Sequence, residues 1–175
     1  MKEFKPILAI LLRFVVIYVV LLLGYQFYLN ESQNAGLDPF SRWVALQVKS
    51  VQEFLGYKTL LYDDIPNLQV WYYVVNNYVS RMVEGCNAIS VMILFLAFVF
   101  AFYKGRKTFI FSIVGLVFLH IMNVLRIAGL NIVTHTHPQY QKMFHDYVFP
   151  AAIYGSVVLL WLIWIKFFAI KNETA

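Results

Sequence analysis

A chain of 175 residues that is 61% hydrophobic and 13% charged, with a mean hydropathy of +0.68, carries too little polar surface to cover itself as an ordinary soluble domain. The excess apolar area must face lipid. The formal charge of +5 does not point to nucleic acid, because the basic residues cluster at the ends of apolar runs, and the single cysteine excludes an internal disulfide.

The first apolar run, over about 7–28, is long enough to cross a hydrocarbon core of roughly 30 Å at about 1.5 Å per residue. Lys2 and Lys5 precede it as in a signal peptide, but no small-x-small cleavage site follows, so it is read as a retained helix. Arg13 lies near enough to its start to snorkel towards headgroups. Residues 30–85 form the one large extramembrane segment. Asp38-Pro39 reads as an N-cap followed by proline at the first helical position, and Phe40, Trp43, Val44, Val48, Val51, Phe54 and Leu55 recur at helical spacing before Gly56. The spacing predicts an amphipathic helix on the membrane surface or against the other helices. Over 57–83 the pattern is β-like: Leu68, Val70, Tyr72 and Val74 alternate, and Asn76-Asn77 offers a turn.

Further spans are predicted over about 88–103, 109–134 and 147–168, with a polar loop over 135–146. The expected fold is an all-α integral membrane protein, one membrane domain over 1–175, with about four transmembrane helices, an outward-facing amphipathic helix and a small β element. Lys2, Lys5, Lys104, Arg106, Lys107, Lys166 and Lys171 fall on one side of this topology, against Lys142 in the short loop on the other. The positive-inside rule then places both termini in the cytoplasm and the segments 30–85 and 135–146 outside the cytoplasmic membrane.

That topology brings three reactive side chains to one membrane face. Cys86, in Glu84-Gly85-Cys86-Asn87, stands at the start of the second span, where a helix dipole favours a thiolate. Arg126, in Asn123-Val124-Leu125-Arg126-Ile127, lies roughly 25 Å along the third span from Phe109. His145, in His145-Asp146-Tyr147, opens the fourth. Each has a plain structural reading as well: a lone cysteine is commonly a small hydrophobe, a histidine here a loop residue, and an arginine in a span one half of an ion pair, with Glu84 or Asp146 as its partner. Glu84, Asn87, Asn123 and Asp146 are candidates to support the three, against ordinary capping and interhelical hydrogen bonding.

Taken in order, Glu-Gly-Cys-Asn, Asn-x-x-Arg-Ile and a histidine opening the last span resemble the exosortase and archaeosortase family of membrane cysteine transpeptidases. The resemblance covers about 60–168 and is nearest to the compact exosortase type of Bacteroidetes, the chain being shorter than typical bacterial exosortases and having fewer spans. It implies that Cys86 attacks a peptide carbonyl near the carboxy-terminal sorting signal of an exported protein, that His145 shuttles the proton, and that Arg126 stabilises the oxyanion. The implied partners are exported proteins with such signals and the lipid bilayer, with room for a membrane partner protein. No nucleic acid, metal or organic cofactor is required. His135-x-His137 is half of a metal pattern without nearby partners, and His120 lacks a facing histidine at similar depth for haem. The competing readings are a non-catalytic membrane subunit, in which Arg126 glues helices together, and a small transporter, which lacks the paired Gly/Pro breaks of a midplane site.

Overall fold

The computed structural model describes residues 4–32 and 36–169. Lys2 and Lys171, two of the charges behind the expected orientation, lie outside the described residues, as do positions 33–35 of the expected external segment.

Helix α1, Phe4–Ser32, runs past the expected end because nothing stops it: Gln26 Nε2 donates to Asn30 Oδ1 at 3.1 Å and Ser32 Oγ to the Tyr28 carbonyl at 2.9 Å. Its large apolar side chains, Leu8, Leu12, Val16 and Leu23 among them, are exposed. Helix α2, Pro39–Phe54, starts as the sequence predicts, with the Asp38 carboxylate accepting from the Ser41 amide at 3.0 Å and Pro39 in the first turn. Its buried stripe, however, is Ser41, Val44, Ala45, Val48 and Gln52, while Trp43, Phe54 and Leu55 from the predicted apolar face are exposed. The apolar positions split into two faces: valines and alanine pack inward, and the large side chains lie outside.

Strands β1 (Thr59–Asp64), β2 (Gln69–Val74) and β3 (Asn77–Met82) form an antiparallel sheet in the order β1-β2-β3, so the chain is mostly helical but not all-α. Val70, Tyr72 and Val74 alternate inward as predicted, but Leu68 sits in the preceding turn. The β2–β3 hairpin turns at Val75-Asn76, one residue before the expected site, with φ of 48° and 66°. Two successive positive φ values define a two-residue turn whose twist matches the strands, and that geometry sets the register with Val74 opposite Asn77. The sheet, α2 and α4 (Arg106–Thr136) enclose one core, containing Val44, Val48, Tyr72, Met82, Val124 and Ile127.

A second core, with Phe95, Val99, Leu119, Val157, Leu160 and Trp164, lies between α3 (Ile89–Ala101), α4 and α6 (Phe149–Trp164). A Cβ on Gly115 would stand 2.2 Å from Phe95 Cζ, so this glycine permits the closest approach of α3 and α4. Among the described residues, three helical stretches are long and apolar enough to cross a membrane: Ile7–Ser32, Arg106–Thr136 and Pro138–Phe168. The predicted second span is shorter than expected, since α3 has 13 residues, about 20 Å of rise. Nor is 135–146 a loop. The chain turns at His137, then continues through a 3-10 turn (Pro138–Tyr140), α5 (Gln141–Met143) and a π-helical turn (Phe144–Val148) straight into α6. Pro138 has no amide to satisfy at a helix start, so it begins this run rather than ending one.

Helices α1 and α3, α3 and α4, and α4 and α6 run antiparallel. Phe100 packs on Phe109 at 5.4 Å between ring centroids at one end of α3, and the Cys86 carbonyl meets Asn123 at the other. Trp164 and Phe168 pack on Phe111, while Phe149 faces Gly129. Phe14 lies by Phe98, and Tyr25 by Asn87. Both described ends of the chain therefore share one end of the bundle with the 102–105 connection, and the sheet caps the opposite end.

Candidate active site

Cys86 follows β3 in a 3-10 turn, Glu84–Asn87, and Ala88 at φ 62° separates that turn from α3. The cysteine thus stands just ahead of the helix, in a turn of its own. Asn87 fixes the turn. Buried to 1% exposure, it donates through Nδ2 to Tyr25 Oη and Ser41 Oγ, both at 2.8 Å, and accepts the Ile89 amide at 2.9 Å. One amide side chain therefore ties α1, α2 and the start of α3 together beside the half-buried thiol.

From α4, Asn123 Nδ2 donates to the Cys86 carbonyl at 3.0 Å and Arg126 Nη2 reaches the same oxygen at 3.4 Å. The two residues are three apart and share a helix face, so one face of α4 holds both donors against the cysteine turn. Arg126 Nε is buried with no acceptor. The ion pairs among the described residues, Arg42–Asp63, Lys49–Glu53 and His145–Asp146, do not include Arg126. Glu84 is exposed at the first position of its turn, and only its main-chain carbonyl is engaged, by Tyr25 Oη at 3.4 Å. The expected Glu84–Arg126 pairing is therefore absent, as is one with Asp146. The carboxylate of Asp146 instead meets His145 Nδ1 at 2.9 Å. A carboxylate only accepts, so Nδ1 is the protonated nitrogen and Nε2 is left as an acceptor. Both residues lie in the π-helical turn, a local widening of the helix that often marks functional positions.

Cys86, Arg126 and His145 line a single cavity of about 340 Å³. Its remaining wall includes Tyr78, Ser80, Arg81 and Gln141, none of which sequence reasoning singled out. Arg81 is an exposed strand residue, ordinarily a solvated charge, and the signal that could have found it is its place in the strand leading directly to the cysteine. Asn131 accepts from the Ser80 hydroxyl and joins α4 to β3 beside the cavity.

The other histidines make local contacts. His120 Nε2 is 2.7 Å from Gln47 Oε1, and its ring stacks on Trp43 at 4.8 Å. His135 packs edge-on against Tyr57, and His137 Nδ1 lies 2.9 Å from Thr136 Oγ1. Burial raises the Tyr72 phenol above its ordinary pKa, with the Cys86 thiolate adding to the same direction, so the residue stays neutral in the core beneath the site. No protein-family model, no curated protein and no solved structure matches the chain.

Proposed function

We propose that the protein is a membrane cysteine peptidase or transpeptidase of the exosortase kind, acting on exported proteins. The observation that carries this reading is the cavity shared by Cys86, Arg126 and His145, which come from three separate segments. In the proposed reaction, the Cys86 thiol gives its proton to His145 Nε2 as sulfur attacks a peptide carbonyl carbon. The developing oxyanion is stabilised by the donors of Arg126, whose guanidinium is held by the Cys86 carbonyl and whose Nε has no other partner. Collapse breaks the C–N bond, the leaving amine takes the proton from His145, and an incoming amine or water then resolves the thioester. Asp146 keeps the imidazole in the tautomer that this sequence requires. The structural-glue alternative for Arg126 rests on an ion pair, and the arginine bonds a neutral carbonyl instead.

In the same reading the bundle crosses the cytoplasmic membrane four times, with both termini inside and the cavity facing out. Lys5, Lys104, Arg106, Lys107 and Lys166 gather at the end opposite the cavity, as the positive-inside rule requires. Helix α3 crosses despite its length because, with the cysteine turn, it runs antiparallel beside α4 from Arg126 to Phe109, and the basic residues after it reach the headgroups.

The test compares exported proteins from cells carrying wild type, Cys86→Ala or Cys86→Ser by mass spectrometry of their carboxy termini, beside immunoblots of the membrane fraction. Both variants should accumulate normally and leave substrates unprocessed, since a hydroxyl lacks the acidity of a thiol. Normal processing by Cys86→Ala at normal abundance ends the cysteine-enzyme reading in favour of the subunit reading.

A further inference from the structure

One wall of the cavity is formed by Tyr78, Val79, Ser80, Arg81, Met82 and Val83 in unbroken succession. Side chains of a strand alternate between its two faces, so a cavity that touches every residue in a row runs along the edge of the strand and not over one face. β3 is the outer strand of the sheet and pairs with β2 alone among the described residues. Its free edge therefore offers main-chain N–H and C=O groups to the same cavity that holds the thiol.

Free edges are commonly guarded by a bulge or a charged side chain. β3 has both: Val79 is an extra residue between the Tyr72–Ser80 and Tyr73–Tyr78 pairs, and Arg81 stands beyond it. Protection against a second sheet explains such features on an edge open to water. Here Leu130, His145 and Phe149 from the helices line the same cavity as the edge, so the edge faces a cleft in its own protein. The charge of the cleft is one-sided. Arg81 and Arg126 line it, and no carboxylate does. Arg81 Nη1 reaches only the Gln69 side-chain oxygen, at 3.4 Å, and it belongs to none of the ion pairs among the described residues.

We propose that the free edge of β3 binds the peptide substrate as an added antiparallel or parallel strand, and that Arg81 holds an acidic side chain of that peptide. The proposal rests on the cysteine-peptidase reading and supplies its substrate class: an extended segment with an Asp or Glu close to the bond Cys86 attacks. The edge from Tyr78 to Val83 is roughly 20 Å long, room for about six residues of extended chain. Main-chain bonds along the edge provide sequence-tolerant affinity, and the pairing with Arg81 provides selection. Since Arg81 is two residues from the end of the edge, the acid falls within about three residues of the scissile bond.

The experiment uses the full chain in detergent, as Cys86→Ala to prevent turnover, and positional decapeptide libraries in which each position in turn is Asp, Asn or Lys. Retained peptides are counted by mass spectrometry. Asp peptides should be enriched about tenfold over Asn peptides, as expected for one charge-assisted pairing. Arg81→Gln should abolish the preference, and Arg81→Glu should turn it towards Lys. Methylating alternate backbone amides should weaken retention of the selected peptide in one register and not in the other. Equal retention of all three libraries, a preference unchanged by Arg81→Gln and Arg81→Glu, or tolerance of methylation at every position each overturns the proposal. Because Arg81 is exposed, its substitutions leave the packing of both cores intact. Processing in cells by Cys86→Ala separates the two hypotheses: a required Cys86 with no peptide selection refutes strand addition alone, and a dispensable Cys86 refutes the peptidase whatever the libraries show.

Discussion

The two cores are held together by different physics, although α4 runs through both. Between α3, α4 and α6 the contacts are large and apolar: Phe98 stacks on Trp161 with centroids 4.5 Å apart, Trp164 on Phe168 at 5.0 Å, and Phe95 fills the space over Gly115. Beneath the sheet the apolar residues are smaller, and buried polar groups run along the boundary: Asn87, Asn123 and Asn131, each no more than 1% exposed, with Ser41 and Gln52. Dispersion between rings tolerates sliding, whereas directional hydrogen bonds fix positions. The catalytic candidates lie at that boundary, where α4 leaves one core and enters the other. Substitutions in the bundle should therefore lower the amount of folded protein without altering what each folded molecule does, and substitutions at the boundary should alter what each folded molecule does.

The largest contrast is expected at the cavity itself. Arg126→Lys keeps a charge but loses the planar set of donors, and His145→Gln keeps hydrogen bonding but cannot move a proton. Each should lower processing by about 10²–10⁴-fold at unchanged abundance, measured as rate per immunoblotted molecule. A tolerated Arg126→Lys would remove the oxyanion role and return Arg126 to a packing role.

Next in size is Asn87→Ala. It removes the hydrogen bonds to Tyr25 Oη, Ser41 Oγ and the Ile89 amide, and should cost about 3 kcal/mol while also loosening the cysteine turn. Thermal unfolding in detergent and alkylation of Cys86, the chain's one thiol, report the two effects separately. A stability loss with an unchanged alkylation rate means that Asn87 binds helices together without positioning the cysteine.

Gly115→Val is the matching test in the bundle. The new side chain meets the Phe95 ring, which is fully buried and has nowhere to go, so overpacking should cost about 1–3 kcal/mol. Processing per folded molecule should stay at the wild-type value. A selective loss of activity here would show that the two cores are coupled through α4 and would erase the contrast between them.

The same contrast explains what could be read from the sequence. The bundle was legible because its ring-packed helices are written as long apolar runs, and the start of α2 was legible because Asp38-Pro39 is a local signal. Cys86, Arg126 and His145 stand out in the sequence as reactive or costly residues beside apolar runs, and the fold brings them to one cavity. What escaped depends on relations that no local pattern encodes. Polar residues 135–146 read as a loop, yet they continue a helix because Pro138 fits a helix start. The thiol is expected at the start of the second span, and the sequence carries no sign that the left-handed Ala88 sets it in a separate turn ahead of α3. Arg81 carries no local signal, since its place at the cavity depends on β3 being the outer strand of the sheet, and the hairpin lies one residue earlier because turn geometry overrides the Asn-Asn signal.

The smallest expected effect lies away from the boundary, where β1 turns into β2. The Asp64 carboxylate accepts from Gln69 Nε2 at 2.6 Å and from Asn67 Nδ2 at 2.9 Å, and these bonds hold its pKa below the ordinary 3.8. A group whose folded pKa is lowered stabilises the fold fully above the unfolded pKa, and that contribution fades as pH falls through the folded value. Asp64→Asn should therefore lower the midpoint of thermal unfolding slightly near pH 7, with the gap to wild type closing as the pH falls through the lowered folded pKa. Because Asp64 is partly exposed, water screens these bonds, and the shift should be smaller than that of Asn87→Ala or Gly115→Val. Processing should not change at any pH at which the fold persists. A gap of equal size above and below that pKa would assign the loss to packing of the turn and not to the charge, and a loss of processing would extend the functional boundary across the sheet to its far hairpin.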